Sequence, residues 1–300
     1  MLWIPLTVAS YFLNGLAAVF DKILLGKRLP DPLVFAFFTG ITSLGVLILA
    51  PFGFAFIYGQ AMAAAFISGA ASLASIYFFY EALRLSDTTR VVPLVGLSSP
   101  LFILGLNYVA GREYLQGLEF SALFFFIAAG VFLSIEWHTD GLGSNFHILA
   151  FLLSLASAFF LALTLFYAKI VFEESPFIAG FIWIRLWAAT AAASLLILAG
   201  LRRRIFTGSL KTTSESYGFF LTNKVIGAAG FILLSYSIKL GPASVINAMR
   251  GLENLFVFLL ALFFTIFFPR VLKESFSWRS LLFKTMGILL AGIGFIYLTA

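Results

Sequence analysis

The sequence predicts an all-α integral membrane protein with ten transmembrane helices, arranged as two inverted five-helix repeats. Three observations carry the membrane assignment. Of the 300 residues, 62% are hydrophobic and only 11% charged, whereas a soluble domain carries roughly 25% charged residues. The apolar runs approach the 20 or so residues that a helix needs to cross the hydrocarbon core. They are also apolar at both odd and even positions, unlike barrel strands of about ten alternating residues. Only helices and closed barrels satisfy the backbone in lipid, so helices remain. The 38 phenylalanines are spread along the whole chain, and no compact shape hides that much apolar surface from water.

The predicted spans cover residues 2–24, 33–54, 61–85, 88–109 and 118–135 in the first half. The second half holds 146–172, 177–198, 217–240, 243–268 and 280–298, with a basic loop at 201–216. The first run lacks a basic leader and a small-residue cleavage site, so it reads as a retained helix. The domain boundaries follow: 1–136 for the first repeat, 137–145 for a polar connector and 146–300 for the second repeat. Two junctions, Ser86–Asp87 and Gly241–Pro242, are short enough to be mistaken for bends in a single long helix.

Composition narrows the function classes. The chain has no cysteine, which removes disulfides, thiolate metal sites and cysteine nucleophiles. Its two histidines, His138 and His147, lie in or beside the connector. No His/Asp/Glu set has metal-ligand spacing, and no phosphate-cradling glycine loop is present. An enzyme is therefore disfavoured and no cofactor is expected. The net charge of +6 has no soluble scaffold to present it to nucleic acid. A photoreceptor with a Schiff base on Lys224 would want about seven spans. A channel or a non-transporting scaffold is the other class left open.

The two halves share an order of features. Glu81-Ala-Leu-Arg84 before a tight turn corresponds to Tyr236-Ser-Ile-Lys239 before another, and Gly96-Leu97 corresponds to Gly251-Leu252. Glu113 and Glu274 each precede a last helix with inner glycines, Gly130 in one half and Gly287, Gly292 and Gly294 in the other. Lys22 and Lys169 end the first helix of each half, and Pro32 and Pro176 open the second. An odd number of spans per copy inserts the second copy upside down. Inverted repeats of this kind characterise carriers, whose sites lie near the midplane between the copies.

Several of these residues carry a family likeness. Tyr80-Glu81-Ala82-Leu83-Arg84 closes the third span; Pro93 and Ser98-Ser99-Pro100 lie in the fourth; Gly111-Arg112-Glu113 precedes the fifth. With Lys273-Glu274 before the tenth span and Arg185 in the seventh, the chain resembles the drug/metabolite transporter superfamily, in its EamA-type ten-helix branch. The resemblance implies a two-bundle fold and alternating access. Relatives of that kind move amino acids, purines, sugar phosphates, nucleotide sugars and drugs. One departure stands out: the family usually has basic residues between its second and third spans, and here residues 51–60 carry no charge.

Lys and Arg near helix ends set orientation. Most lie in the loops after odd-numbered spans; the even loops hold only Arg112, Lys169 and Lys239. Charge bias thus places both termini outside a cell (inner) membrane, whereas the family habit places them inside.

Charges buried in hydrocarbon cost several kcal/mol and mark cavities or partners. Arg185, Lys224 and Arg250 lie well inside spans, and Glu253 is the clearest interior anion. At about 1.5 Å per residue, Arg185 and Arg250 both fall about 12 Å from the even-loop face, and Lys224 about 11 Å from the opposite one. Glu253 is one turn from Arg250, so the two can pair; whether that pair serves substrate or only neutralises itself stays open. Asp21 with Lys22, and Glu81 with Arg84, also read as interfacial snorkelling charges. Asn14, Ser98, Ser99, Asn247 and Asn254 add polar lining, and Tyr77, Tyr80, Trp183 and Tyr236 add hydrogen-bonding aromatics. Singly, each is ordinary helix-packing glue of about 0.6 kcal/mol; together they suggest a wet interior. The expected substrate-binding set is Asn14, Tyr80, Glu81, Ser98, Ser99, Trp183, Arg185, Lys224, Tyr236, Asn247, Arg250 and Glu253. The expected partners are a small solute bearing a carboxylate or phosphate, the lipid bilayer and, as one option, a second copy of the chain.

Overall fold

The computed structural model describes residues 2–25, 32–86, 88–112, 117–134, 148–197, 199–207, 217–267 and 278–299. The connector 137–145, His147, Glu113, Lys273 and Glu274 lie outside them, as do the side chains of Asp21, Lys22, Pro93 and Lys224. Among the described residues every regular element is a helix. Among the described residues, six helices are long and apolar enough to cross a membrane: Trp3–Phe20, Pro32–Phe52, Gly59–Leu85, Ile148–Glu174, Phe177–Ile197 and Ala243–Phe267. Shorter apolar helices run over Leu94–Ala110, Gly117–Phe132, Val225–Leu240 and Thr285–Tyr297. The chain is an all-α, membrane-embedded protein.

The helices gather into two compact units, and each unit draws on both halves of the sequence. The first comprises Met1–Arg28, Glu113–Phe146 and Thr213–Ala300; the second comprises Leu29–Arg112 and His147–Thr212.

In the second unit the axis is a pair of 27-residue helices, α3 (Gly59–Leu85) and α6 (Ile148–Glu174). Lipid offers no hydrophobic reason for helices to associate, so close backbone approach and interhelical hydrogen bonds must hold them. Both devices are present. Ser75 and Ser157 donate their hydroxyls to each other's backbone carbonyl, each at 3.0 Å, and Ser68 donates to the Thr164 carbonyl at 2.9 Å. On the other side of α3, Gly69 meets α7 (Phe177–Ser194): a Cβ there would lie 2.6 Å from the Ile184 carbonyl oxygen and 2.7 Å from the Ala188 nitrogen. The fourth helix, α4 (Thr88–Ala110), packs along α6. Just beyond its end Arg112 reaches Glu173 at 3.1 Å, which Lys169 also approaches at 3.7 Å.

The second predicted span is not one regular helix. Helix α2 (Pro32–Thr42) gives way to a 3-10 helix over Ser43–Phe52. The Thr42 and Ser43 hydroxyls bond back to the Thr39 carbonyl at 3.0 and 3.1 Å, competing with the backbone ladder. Pro51 then has no N–H to contribute. The basic loop expected at 201–216 also needs correction at its start. Residues Ala199–Thr207 form α8, which carries Arg202, Arg203 and Arg204. Arginine is a good helix former. Ile205 is buried with Leu33, Phe37 and Ala192, so tertiary packing pins a helix that the charge run reads as a loop.

In the first unit, α1 (Trp3–Leu25) packs along α9 (Tyr217–Leu240), and the Ser10 hydroxyl donates to the Gly230 carbonyl at 2.8 Å. Helices α5 (Gly117–Ser134) and α12 (Trp278–Thr299) pair through Phe125 stacked on Tyr297 and Phe126 edge-on to Phe295. The Trp3 ring covers the turn after α9, where a Cβ on Gly241 would come within 2.6 Å of it. The predicted ninth span, 243–268, is broken. A short α10 (Ala243–Ala248) is followed by a turn at Met249–Arg250 and then by α11 (Gly251–Phe267).

Candidate functional site

The break between α10 and α11 holds the first unit's Arg250–Glu253 pair. Three amides there reach back three residues instead of four: Arg250 to the Asn247 carbonyl, Leu252 to Met249 and Glu253 to Arg250. In a continuous helix the Ile246 carbonyl would take the Arg250 amide. The buried Tyr11 hydroxyl of α1 donates to it at 2.8 Å instead. An orphaned carbonyl in a dry interior is costly, so this bond stabilises the break. Glycines admit the neighbouring backbones. A Cβ on Gly251 would lie 2.9 Å from Gly130 Cα of α5, and one on Gly15 would lie 3.2 Å from the Glu253 carbonyl oxygen.

Arg250 and Glu253 sit at this break. Arg250 Nε lies 3.9 Å from Glu253 Oε2, with the two side chains 44% and 24% exposed. Strong charge-assisted bonds are near 2.8 Å, and Arg–carboxylate pairs are frequently two-pronged. A single long contact through Nε does not consume the guanidinium fork. Tyr11 lies within electrostatic range of both charges. Asn14, one turn further along α1, fits its amide against Gly230, where a Cβ would stand 2.5 Å from Oδ1. Asn247 is buried in α10, and Tyr236 is exposed on α9. Lys224 lies in α9.

The second unit holds the other half of the expected set. Glu81 is held by Arg84, whose Nη1 reaches both carboxylate oxygens at 3.1 and 3.2 Å; this is the closed geometry of a self-satisfied pair. Tyr80 packs on the cluster of Ala82, Leu83, Val91, Val95 and Ala158. Ser99 is buried in α4 and Ser98 partly so. Arg185 is partly buried in α7, with its guanidinium carbon 5.6 Å from the centre of the Phe181 ring one turn back, a cation–π distance. Trp183 is engaged by the segment before α3: its indole nitrogen donates to the Ala55 carbonyl at 2.9 Å, and its ring packs against Phe54 and Phe56.

Within one unit, then, the structure places Arg250 and Glu253 together at the helix break, with Asn247 in the adjoining α10, while the Asn14 amide lies against Gly230 of α9. Within the other it gathers Arg185 and Trp183 on α7, and Tyr80 and Glu81 at the end of α3. Tyr11 was missing from the sequence-derived set. Its only sequence signal is a tyrosine one turn before Asn14 in an apolar helix; its bonding partner is 235 positions away. Among the described residues, no three His, Asp or Glu side chains gather closely enough to hold a metal.

The fold defines the class as an all-α protein with membrane-length helices. No protein-family model and no curated protein matches the sequence. The fold itself has precedent. A solved structure described as "Crystal structure of protein" superposes on 98% of this chain and 96% of its own with a TM-score of 0.67, at 14% identity. At that identity the likeness is one of fold alone.

Proposed function

We propose that this chain is a secondary carrier of the drug/metabolite transporter type, built from ten spans as two inverted five-helix repeats. It moves a small polar solute bearing a carboxylate or phosphate, in the first instance a zwitterion such as an amino acid, by alternating access. The observation that carries this reading is the loosely paired, partly exposed Arg250 and Glu253 at a break in a membrane-length helix. Interrupted membrane helices are the recurring device by which carriers expose polar groups at membrane depth. The break begins about 10 Å from the start of α10, roughly a third of the way across the hydrocarbon. A solute carboxylate fits the Arg250 fork and an ammonium fits Glu253, so the pair can be exchanged for the substrate without stranding either charge.

The test is uptake by reconstituted proteoliposomes. Arg250→Ala and Arg185→Ala are each expected to lower the rate at least tenfold. Flux should saturate and be stimulated by solute on the far side. Linear, unstimulated flux points to a channel. Unchanged transport in both variants removes the reading. A phosphate-bearing solute carried in preference to an amino acid makes the protein an exchanger of the sugar-phosphate or nucleotide-sugar kind. Charge bias places both termini outside an inner membrane; a cytoplasmic signal from a reporter fused at Ala300 overturns that orientation.

A further inference from the structure

The uncharged segment 51–60 was the one departure from the family likeness, and transport does not account for it. It joins two membrane-length helices and carries four large aromatic residues at its surface. Phe52, Phe56 and Tyr58 are 72%, 62% and 78% exposed, and Phe54 is also exposed. In water this would be an apolar patch without purpose.

The segment is nevertheless built. Gly53 at φ +150° and Gly59 at φ +57° bracket it, both in backbone regions that side-chain-bearing residues rarely adopt. The Gly53 and Phe54 amides both close on the Ala50 carbonyl, at 3.3 and 3.0 Å. Ile57 turns inward and is buried. Helix α7 supplies the clip: Gly53 lies against Ile178 in its first turn. The Trp183 indole then takes the Ala55 carbonyl, with Phe54 stacked on its ring.

Depth follows from two independent routes. Asp31 precedes α2, so the chain enters the hydrocarbon near Pro32. The α-helical residues to Thr42 advance about 16 Å at 1.5 Å each. At about 2.0 Å per residue in the 3-10 helix, the rest of a roughly 30 Å core is crossed near Leu49 or Ala50. Residues 51–58 thus emerge at headgroup level. From the other side, Trp183 lies in the second turn of α7, about 9 Å along from its first residue. Phe54 and Phe56 are level with that turn, so the segment folds back toward the membrane and does not rise into water. Aromatic residues are enriched at this level, where their rings sit among the headgroups.

We infer that residues 52–58, clipped by Trp183, form an interfacial anchor that inserts Phe52, Phe54, Phe56 and Tyr58 into the headgroup and upper acyl region of the bilayer. The occupant is lipid, because the patch is continuous with two membrane-length helices and has no charge to meet a polar partner.

The test places a tryptophan reporter at Phe56 in a full-length variant whose native tryptophans other than Trp183 are changed to phenylalanine, read against that parent as the blank and reconstituted in phosphatidylcholine vesicles. Blue-shifted emission, quenched several-fold more by lipid brominated high on the acyl chain than by aqueous iodide, is the expected result. Dominant iodide quenching overturns the anchor. So does a reporter shielded from both quenchers, which would mean that a second copy of the chain covers the patch. A second variant checks the far end of the segment: with Tyr58→Trp as the probe in the same Trp183-containing parent, the lipid-dependent quenching must also rise above that of the parent.

Discussion

The two units solve the same problem, holding helices together where water offers no help, in opposite ways. The second unit is closed upon itself. Its long helices α3 and α6 are continuous and zipped by reciprocal serine bonds, its Glu81 is chelated by Arg84, and its Gly69 lets α7 touch α3 backbone to backbone. Its α2 passes into a 3-10 helix at Ser43, but the Thr42 and Ser43 hydroxyls bond locally there; the first unit breaks a membrane-length helix between α10 and α11 and relies on Tyr11 of another helix to satisfy the freed carbonyl. Its Arg250–Glu253 contact, at 3.9 Å, is also longer than the 3.1 Å pair of Arg84 and Glu81, at similar exposure. The difference lies in where the interrupted backbone finds its partners: within the same few residues in the second unit, and on a distant helix in the first.

Four substitutions test that contrast, from the largest expected effect to the smallest. Gly69→Leu drives a side chain into the α7 backbone, which cannot yield as a flexible side chain would; a loss of about 3 kcal/mol or more is expected, seen as failure to recover monodisperse protein. Normal recovery would mean that α3 and α7 are not so tightly joined. Arg250→Ala should cut uptake at least tenfold yet move Tm little, because the side chain is 44% exposed. If Tm falls instead while the activity of the folded fraction holds, Arg250 is structural and the contrast between the units weakens. Tyr11→Phe leaves the Ile246 carbonyl without its donor and should cost about 1–2 kcal/mol, measured by thermal unfolding in detergent. It should also lower transport, since the break loses its support. Ser75→Ala removes one of two reciprocal bonds and should cost only about 0.6 kcal/mol; a much larger loss would mean that the α3–α6 zipper is cooperative.

Much of the architecture was legible because it is written locally. Gly241–Pro242 and the small polar residues at Ser86 mark helix ends whatever surrounds them, since glycine and proline act on their own backbone. The structure separates α3 from α4 and α9 from α10 at those points. Arg250 and Glu253 were readable as a pair because side chains three residues apart in a helix meet, and they pair at 3.9 Å even though Arg250 lies in the turn before α11. Other features were not legible. Helix α8 owes its form to the burial of Ile205 against Leu33 and Phe37, residues far back in the chain. Trp183 read as a hydrogen-bonding aromatic, but its partner, the Ala55 carbonyl 128 positions away, was not readable.

The sequence alone determined that the chain is helical and that it belongs in a membrane, because hydropathy and helix periodicity depend on nearest neighbours and solvent. The tertiary structure decided where a membrane-length helix breaks, which hydroxyl satisfies the carbonyl set free and which aromatic ring is already occupied. Those outcomes turn on hydrogen bonds and backbone contacts between residues distant in the chain, and no local pattern encodes the identity of a distant partner.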